Sequence, residues 1–146
     1  MSLADRSGTM SYMNTSTDSV RVVLFDQAHS ERFLILAETD DPTNFKLPGG
    51  KFDHANEPAA ACAERELREE LGLEASRITL TPAAQLTNQD GVSTRYIYGA
   101  VIDSALVRPS AEIELTQWVS EAEVPGGLNR GHILSAVAAA RAAVGQ

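Results

Sequence analysis

The segment spanning residues 57–73 constrains this chain more than any other: Glu-Pro-Ala-Ala-Ala-Cys-Ala-Glu-Arg-Glu-Leu-Arg-Glu-Glu-Leu-Gly-Leu. Pro58 suits the first turn of a helix, with Asn56 or Glu57 near the cap, and Gly72 suits its end, so a helix is predicted over residues 57–71. Glu66, Glu69 and Glu70 are spaced i, i+3, i+4 and share one face of that helix. Ala60, Ala63, Leu67 and Leu71 make a neighbouring apolar face, so the helix can pack on a sheet and present its acids to a cleft. Like charges at i, i+4 destabilise a helix by about 0.2–0.5 kcal/mol per pair. Cations at that face relieve the repulsion, and hard oxygen ligands at this density suit Mg²⁺ or Mn²⁺. Arg65, four residues before Glu69, is placed to orient that carboxylate.

The net charge of −8 argues against a long nucleic-acid partner, which needs a basic footprint. A small phosphorylated substrate remains compatible with acidity when divalent metals reverse the local field. The single cysteine, Cys62, allows no internal disulfide and fits a cytoplasmic location. It reads as a small buried helix residue rather than a nucleophile, since no histidine is near it in sequence. No stretch is long and apolar enough to span a membrane, and no secretory signal is recognisable.

Residues 1–18 read as a flexible N-terminal tail and residues 19–146 as a single domain. Strands are predicted over residues 20–25 and 32–37, joined as a hairpin through a turn at residues 26–30, with a polar loop at residues 39–44. Further strands are predicted over residues 78–86, 93–103 and 112–119, a short helical turn over 120–123, and a packed helix over 131–144. Strands with two helices make an α/β layered domain.

The pattern around the glutamate helix resembles the Nudix box, G-x5-E-x7-R-E-U-x-E-E-x-G-U, with U a bulky aliphatic residue. Seven residues separate Glu57 from Arg65, and Arg65-Glu66-Leu67-Arg68-Glu69-Glu70-Leu71-Gly72-Leu73 completes the match. Leu47-Pro48-Gly49-Gly50 is similar to the segment before the box, and Phe45 sits where an aromatic is often found. The departure is in the loop: six residues, not five, lie between Gly50 and Glu57. If Lys51 is counted as the motif's first position, it replaces the glycine. A bulge at residues 52–56 absorbs one residue for a few tenths of a kcal/mol. Shifting the helix register would instead rotate the glutamates by about 100°.

The resemblance implies a Nudix-like α/β/α sandwich with a mixed β-sheet, and a divalent-metal-dependent hydrolase cleaving a diphosphate linkage in a nucleoside-diphosphate-type substrate. It implies metal ligation by Glu66, Glu69 and Glu70, with the Gly49 carbonyl and Glu112 as further ligands and Glu114 in reserve. Glu69, Glu70 and Glu112 are the candidates for general base, and Arg65 and Glu57 support the loop and helix. Phe45, Tyr96 and Tyr98 are candidate substrate contacts; the two tyrosines share a strand face and can stack on a base. Arg95 and Arg108 are candidates for phosphate. Of His29, His54 and His132, only His54 is near the helix in sequence. Homodimers are common in such families, and the sequence leaves the oligomeric state open. The competing functions are a non-catalytic nucleotide or phosphometabolite-binding module and an isopentenyl-diphosphate isomerase on the same scaffold. The intact acid set argues against the first. The chain's short length and its one cysteine, inside the metal helix, argue against the second.

Overall fold

The computed structural model describes residues 18–53, 56–88 and 90–146. The chain runs β1 (Ser19–Asp26), β2 (Phe33–Glu38), β3 (Asp41–Lys46), β4 (Gly49–Lys51), α1 (Ala59–Leu71), β5 (Thr81–Thr87), β6 (Thr94–Ile102), β7 (Ile113–Val119) and α2 (Arg130–Val144). Single 3₁₀ turns lie at Ala75–Arg77, Ser104–Leu106 and Glu121–Glu123.

Among these residues the strands form one mixed sheet whose central path is β3-β2-β1-β6-β5. β1 pairs in parallel with β6 along its whole length, from Ser19 opposite Arg95 to Asp26 opposite Ile102. Two strands share its other edge, both antiparallel. β4 lies along its start, with Arg21 opposite Gly49, and β2 meets its end, with Phe25 opposite Phe33. β7 pairs with β2 and β5 with β6, both antiparallel.

Alternation along β1 divides the core, because successive side chains of a strand point to opposite faces. Val20, Val22 and Leu24 pack with Leu67 and Leu71 of α1, while Val23 and Phe25 pack with Ile133 and Val137 of α2. A helix on each face of a mixed sheet is the expected α/β/α sandwich. Truncating Leu67, which is fully buried, removes about 2–5 kcal/mol of stability.

Several boundaries differ from the sequence expectation. Residues 39–44 were expected to be loop, but β3 begins at Asp41 and pairs with β2. Its first three residues are exposed, and an edge strand tolerates Pro42 because the missing N–H faces no partner strand. The strand predicted from residue 78 starts at Thr81, and Glu112 precedes its predicted strand rather than opening it. Pro58 is the N-cap of α1, extended at φ −63° and ψ 146°, so the helix starts at Ala59 rather than Glu57. Ala60 is exposed; the buried stripe is Cys62, Ala63, Leu67, Glu70 and Leu71. The expected tail lies outside the described residues apart from Asp18, whose carboxylate accepts from the Thr94 amide (2.9 Å).

Candidate active site

α1 ends as its glycine requires. Gly72 adopts φ 66°, and the Leu73 amide reaches back to the Leu67 carbonyl, which closes the last turn. The start of the helix is fixed by contacts with the segment before it. At Gly49, φ is 141° and an added Cβ would stand 2.1 Å from the Val20 carbonyl oxygen, so no other residue fits without moving β1. At Gly50 an added Cβ would stand 2.6 Å from Cδ of Glu66. The paired glycines therefore let strand backbone and a helix carboxylate meet on either side of one narrow segment.

The Gly49 amide donates to Glu70 Oε1 (3.0 Å). Glu70 is only 4% exposed, and its carboxyl is pushed up to about 8, chiefly by desolvation. The Gly49 hydrogen bond and the Arg21 charge oppose that shift, and the nearby Glu66 charge adds to it. The Glu66 carboxyl is likewise raised, first by burial, against the influence of Arg65. Glu69 shares the helix turn but not the environment, since its side chain is half exposed. The three acids expected on one face thus divide into buried Glu70, partly buried Glu66 and an outer Glu69.

Arg65 ties this face to the preceding loop. Its guanidinium donates to Glu57 (Nε to Oε2, 2.9 Å), to Glu66 (Nη1 to Oε2, 2.9 Å) and to the Lys51 carbonyl (3.2 Å), and it lies 3.3 Å from both Glu69 and Asp53. The hydrogen bond to Arg65 is the first cause of the lowered Glu57 pKa, and the hydrogen bond to Glu57 the first cause of the raised Arg65 pKa. Glu57 also accepts from the Asp53 amide (3.1 Å). Cys62 is fully buried as expected, and burial pushes its thiol up to about 12, so it is no nucleophile. The bulge was expected at residues 52–56, of which His54 and Ala55 lie outside the described residues. On either side, Gly49 and Gly50 meet Glu70 and Glu66, so loop and helix remain in register.

Among the described residues, no three His, Cys, Asp or Glu side chains converge closely enough to hold a metal ion. The donor chemistry nevertheless fits a hard divalent cation. Desolvation raises the pKa of both carboxyls, the Glu66 charge adds to the shift of Glu70 and the Glu69 charge to that of Glu66, a glycine leaves room at Glu66, and the Arg65 charge stands between Glu66 and Glu69. Convergence requires Glu69 to turn from Arg65 toward Glu66 and Glu70.

The other sequence candidates are scattered. Glu112 is exposed beside the β2–β3 turn, where its carbonyl accepts from the Thr39 amide and its side chain lines a shallow depression with Glu38 and Asp40. Glu114 is exposed on β7. Tyr96 and Tyr98 pack on the α1 side, Tyr96 with its ring 5.7 Å from Phe52. Phe45 packs on the α2 side, and its carbonyl accepts from Asn129 (3.0 Å). Arg108 borders Gly72 and donates its amide to Leu71. His29 lies in the β1–β2 turn.

Sequence reasoning missed a basic cleft of about 230 Å³ on the α2 face, lined by Arg21, Lys46, Lys51, Arg95, Asn129 and His132 among others. Arg21 donates to the Leu47 carbonyl (2.9 Å), and the charges of Glu70, Glu38 and Glu66 all act on it. Glu38, also missed, pairs with Lys46 (2.7 Å). One signal was available: Arg21 is the lone charge in Val-Arg-Val-Val-Leu-Phe, a run that otherwise reads as buried strand.

The NUDIX domain family model matches residues 15–137. No curated protein sequence matches the chain. Among solved structures, a NUDIX-family hydrolase from Clostridium perfringens aligns with TM-score 0.65 at 16% identity, over 86% of this chain and 96% of that one. An Ap4A hydrolase from C. elegans, in a binary complex, aligns with TM-score 0.61 at 19% identity, over 73% and 82%. The NUDIX domain of Shewanella oneidensis NrtR, complexed with ADP ribose, aligns with TM-score 0.60 at 18% identity, over 86% and 88%. Identities this low establish a shared fold. Among the described residues, no helix is long and apolar enough to cross a membrane.

Proposed function

The chain belongs to the NUDIX domain family and is a Nudix-type pyrophosphohydrolase acting on phosphorus-containing acid anhydrides; within that class we propose divalent-metal-dependent cleavage of a diphosphate linkage in a nucleoside-diphosphate-type substrate. The observation that carries this reading is buried Glu70 beside partly buried Glu66, packed against Gly49 and Gly50, two carboxyls whose pKa values are raised by desolvation and whose charges a cation would offset.

Glu66, Glu69 and Glu70 would hold Mg²⁺ or Mn²⁺, with the Gly49 carbonyl as a further oxygen implied by the family resemblance. Bound there, the metal supplies charge withdrawal from phosphate oxygens and a lowered pKa for a coordinated water. Glu70, fixed by the Gly49 amide, is suited to an immobile ligand role. Glu69 is the most exposed of the three and can take a water proton on its carboxylate once released from Arg65. Arg21 lies close enough to feel both Glu66 and Glu70, so its guanidinium can neutralise the diphosphate from the opposite side. Water oxygen bonds to one phosphorus, the bridging P–O bond breaks, and both products leave phosphorylated. Glu112 fits this scheme less well than Glu38, whose charge acts on Glu70.

The test is a panel of nucleoside-diphosphate compounds incubated with Mg²⁺ or Mn²⁺ and scored by product mass. Two phosphorylated products should appear, and only with metal. Binding without turnover across the panel supports the binding-module alternative, and a product of unchanged mass supports isomerisation.

A further inference from the structure

The strand register gathers charge at one end of the sheet. Lys51 on β4, Ser19 on β1 and Arg95 on β6 form a single cross-strand row, and Arg21 is the next residue along β1 on the same face. His132, in the first turn of α2, closes over the row, with Arg95 Nη1 2.7 Å from His132 Nδ1. A guanidinium only donates, so this contact assigns Nδ1 as acceptor and the imidazole proton to Nε2, a further donor.

This clustering is out of keeping with the rest of the chain. The sequence holds 20 Asp and Glu against 12 Lys and Arg, yet four of those 12 line this cleft and, among the described residues, no carboxylate does. Lys46 has Glu38 as its counter-ion. Among the described residues, no carboxylate lies within ion-pair range of Arg21, Lys51 or Arg95. The row also extends beyond the needs of the scissile diphosphate. Arg21 is the member that feels Glu66 and Glu70, whereas the charge acting on Arg95 is that of Arg21.

Resting on the diphosphate-hydrolase reading above, we propose that Arg95, Lys51 and His132 form a second anion subsite, and that the preferred substrate carries a phosphoryl group separate from the linkage that is cut. A nucleotide phosphorylated on its sugar as well as bearing the 5′-diphosphate has that chemistry. Arg95 supplies a planar donor fork suited to phosphate, and Lys51 adds a point charge from the opposite edge of the row.

The test needs no turnover and no metal. Calorimetry on metal-free protein compares adenosine 5′-monophosphate with adenosine 3′,5′- and 2′,5′-bisphosphate. At least one bisphosphate should bind about tenfold or more tightly than the monophosphate. Arg95→Gln and His132→Gln should each shrink that ratio toward one, and Arg95→Lys should restore part of it, with thermal melts confirming that each variant is folded. Equal affinities in the unaltered protein, no binding of any probe, or a ratio that survives Arg95→Gln would overturn the subsite. Failure of the hydrolase reading looks different: no anhydride is cleaved while the bisphosphate preference persists.

Discussion

The two faces of the β1 start carry opposite charge under opposite constraints. On the α1 face, Glu66 and Glu70 are packed into a glycine-lined notch where water is scarce, and both carboxyls are raised. On the α2 face, Arg21 and Arg95 stand without carboxylate partners among the described residues, and burial lowers the pKa of each. Each cluster is unfavourable alone, because like charges are held together away from full solvation. The proposed substrate and cation would complement both at once: Glu66 and Glu70 would hold the cation, and the guanidinium groups would face phosphate oxygens. On the proposals above, the acidic face governs chemistry and the basic face governs affinity and choice of substrate.

The sharpest way to break that division is Glu70→Gln. With metal and substrate saturating, kcat should fall by at least about 10²-fold, the order contributed by a ligand or positioned base. Glu69→Gln should lower kcat to a similar degree. Full activity in either variant, with metal dependence intact, would remove it from its assigned role. The metal-free Glu70→Gln protein should in turn melt higher than the unaltered one at pH 8, because a buried like charge is gone.

Arg65 probes a structural contribution on the acidic face. Arg65→Ala removes the ion pair with Glu57 while Glu57 keeps the Asp53 amide, and should cost about 2 kcal/mol, read from a denaturant midpoint. On the basic face, Arg21→Gln should raise KM about tenfold, as expected for one lost charge-assisted hydrogen bond, and change kcat much less. Steady-state kinetics separate the two faces: a kcat effect at Arg21 equal to that at Glu70 would erase the distinction.

The smallest effect expected is on stability against pH. Glu70 has a folded pKa raised to about 8 from 4.5, so its contribution is fully present below about 4.5 and is lost as pH rises through 8. Metal-free protein should thus melt lower at pH 8.5 than at pH 6, with roughly 4 °C lost per kcal/mol. Added Mg²⁺ should close the gap. Glu57, with its depressed pKa, acts oppositely, and its contribution is lost as pH falls through the folded value below 4.5. A metal-free melting temperature that climbs steadily from pH 6 to 8.5 would contradict the Glu70 environment.

The two faces also differ in how far the sequence reveals them. The acidic face is local: Arg65, Glu66, Glu69 and Glu70 lie within two helical turns, so spacing alone places them together. Even so, spacing did not tell Glu66 and Glu70 from the outer Glu69, because that depends on the approach of Gly49 and Gly50. The basic row is non-local. Lys51, Arg21, Arg95 and His132 come from four elements, and parallel pairing of β1 with β6 aligns two of them. No local periodicity encodes that pairing, and the predicted hairpin of β1 with β2 proved to be one matched pair, Phe25 with Phe33. β3 escaped notice because Asp41-Pro42 reads as a turn, and an exposed edge lacks the apolar alternation that marks a half-buried strand.

The central claim is that the Glu66–Glu70 face binds the catalytic cation, and Mn²⁺ titration followed by electron paramagnetic resonance tests it most directly. At pH 7.5 the unaltered protein should deplete the free Mn²⁺ signal saturably, Mg²⁺ should compete, and Glu66→Gln and Glu70→Gln should each weaken binding by about tenfold or more. Mn²⁺ affinity unchanged in both variants would contradict the account.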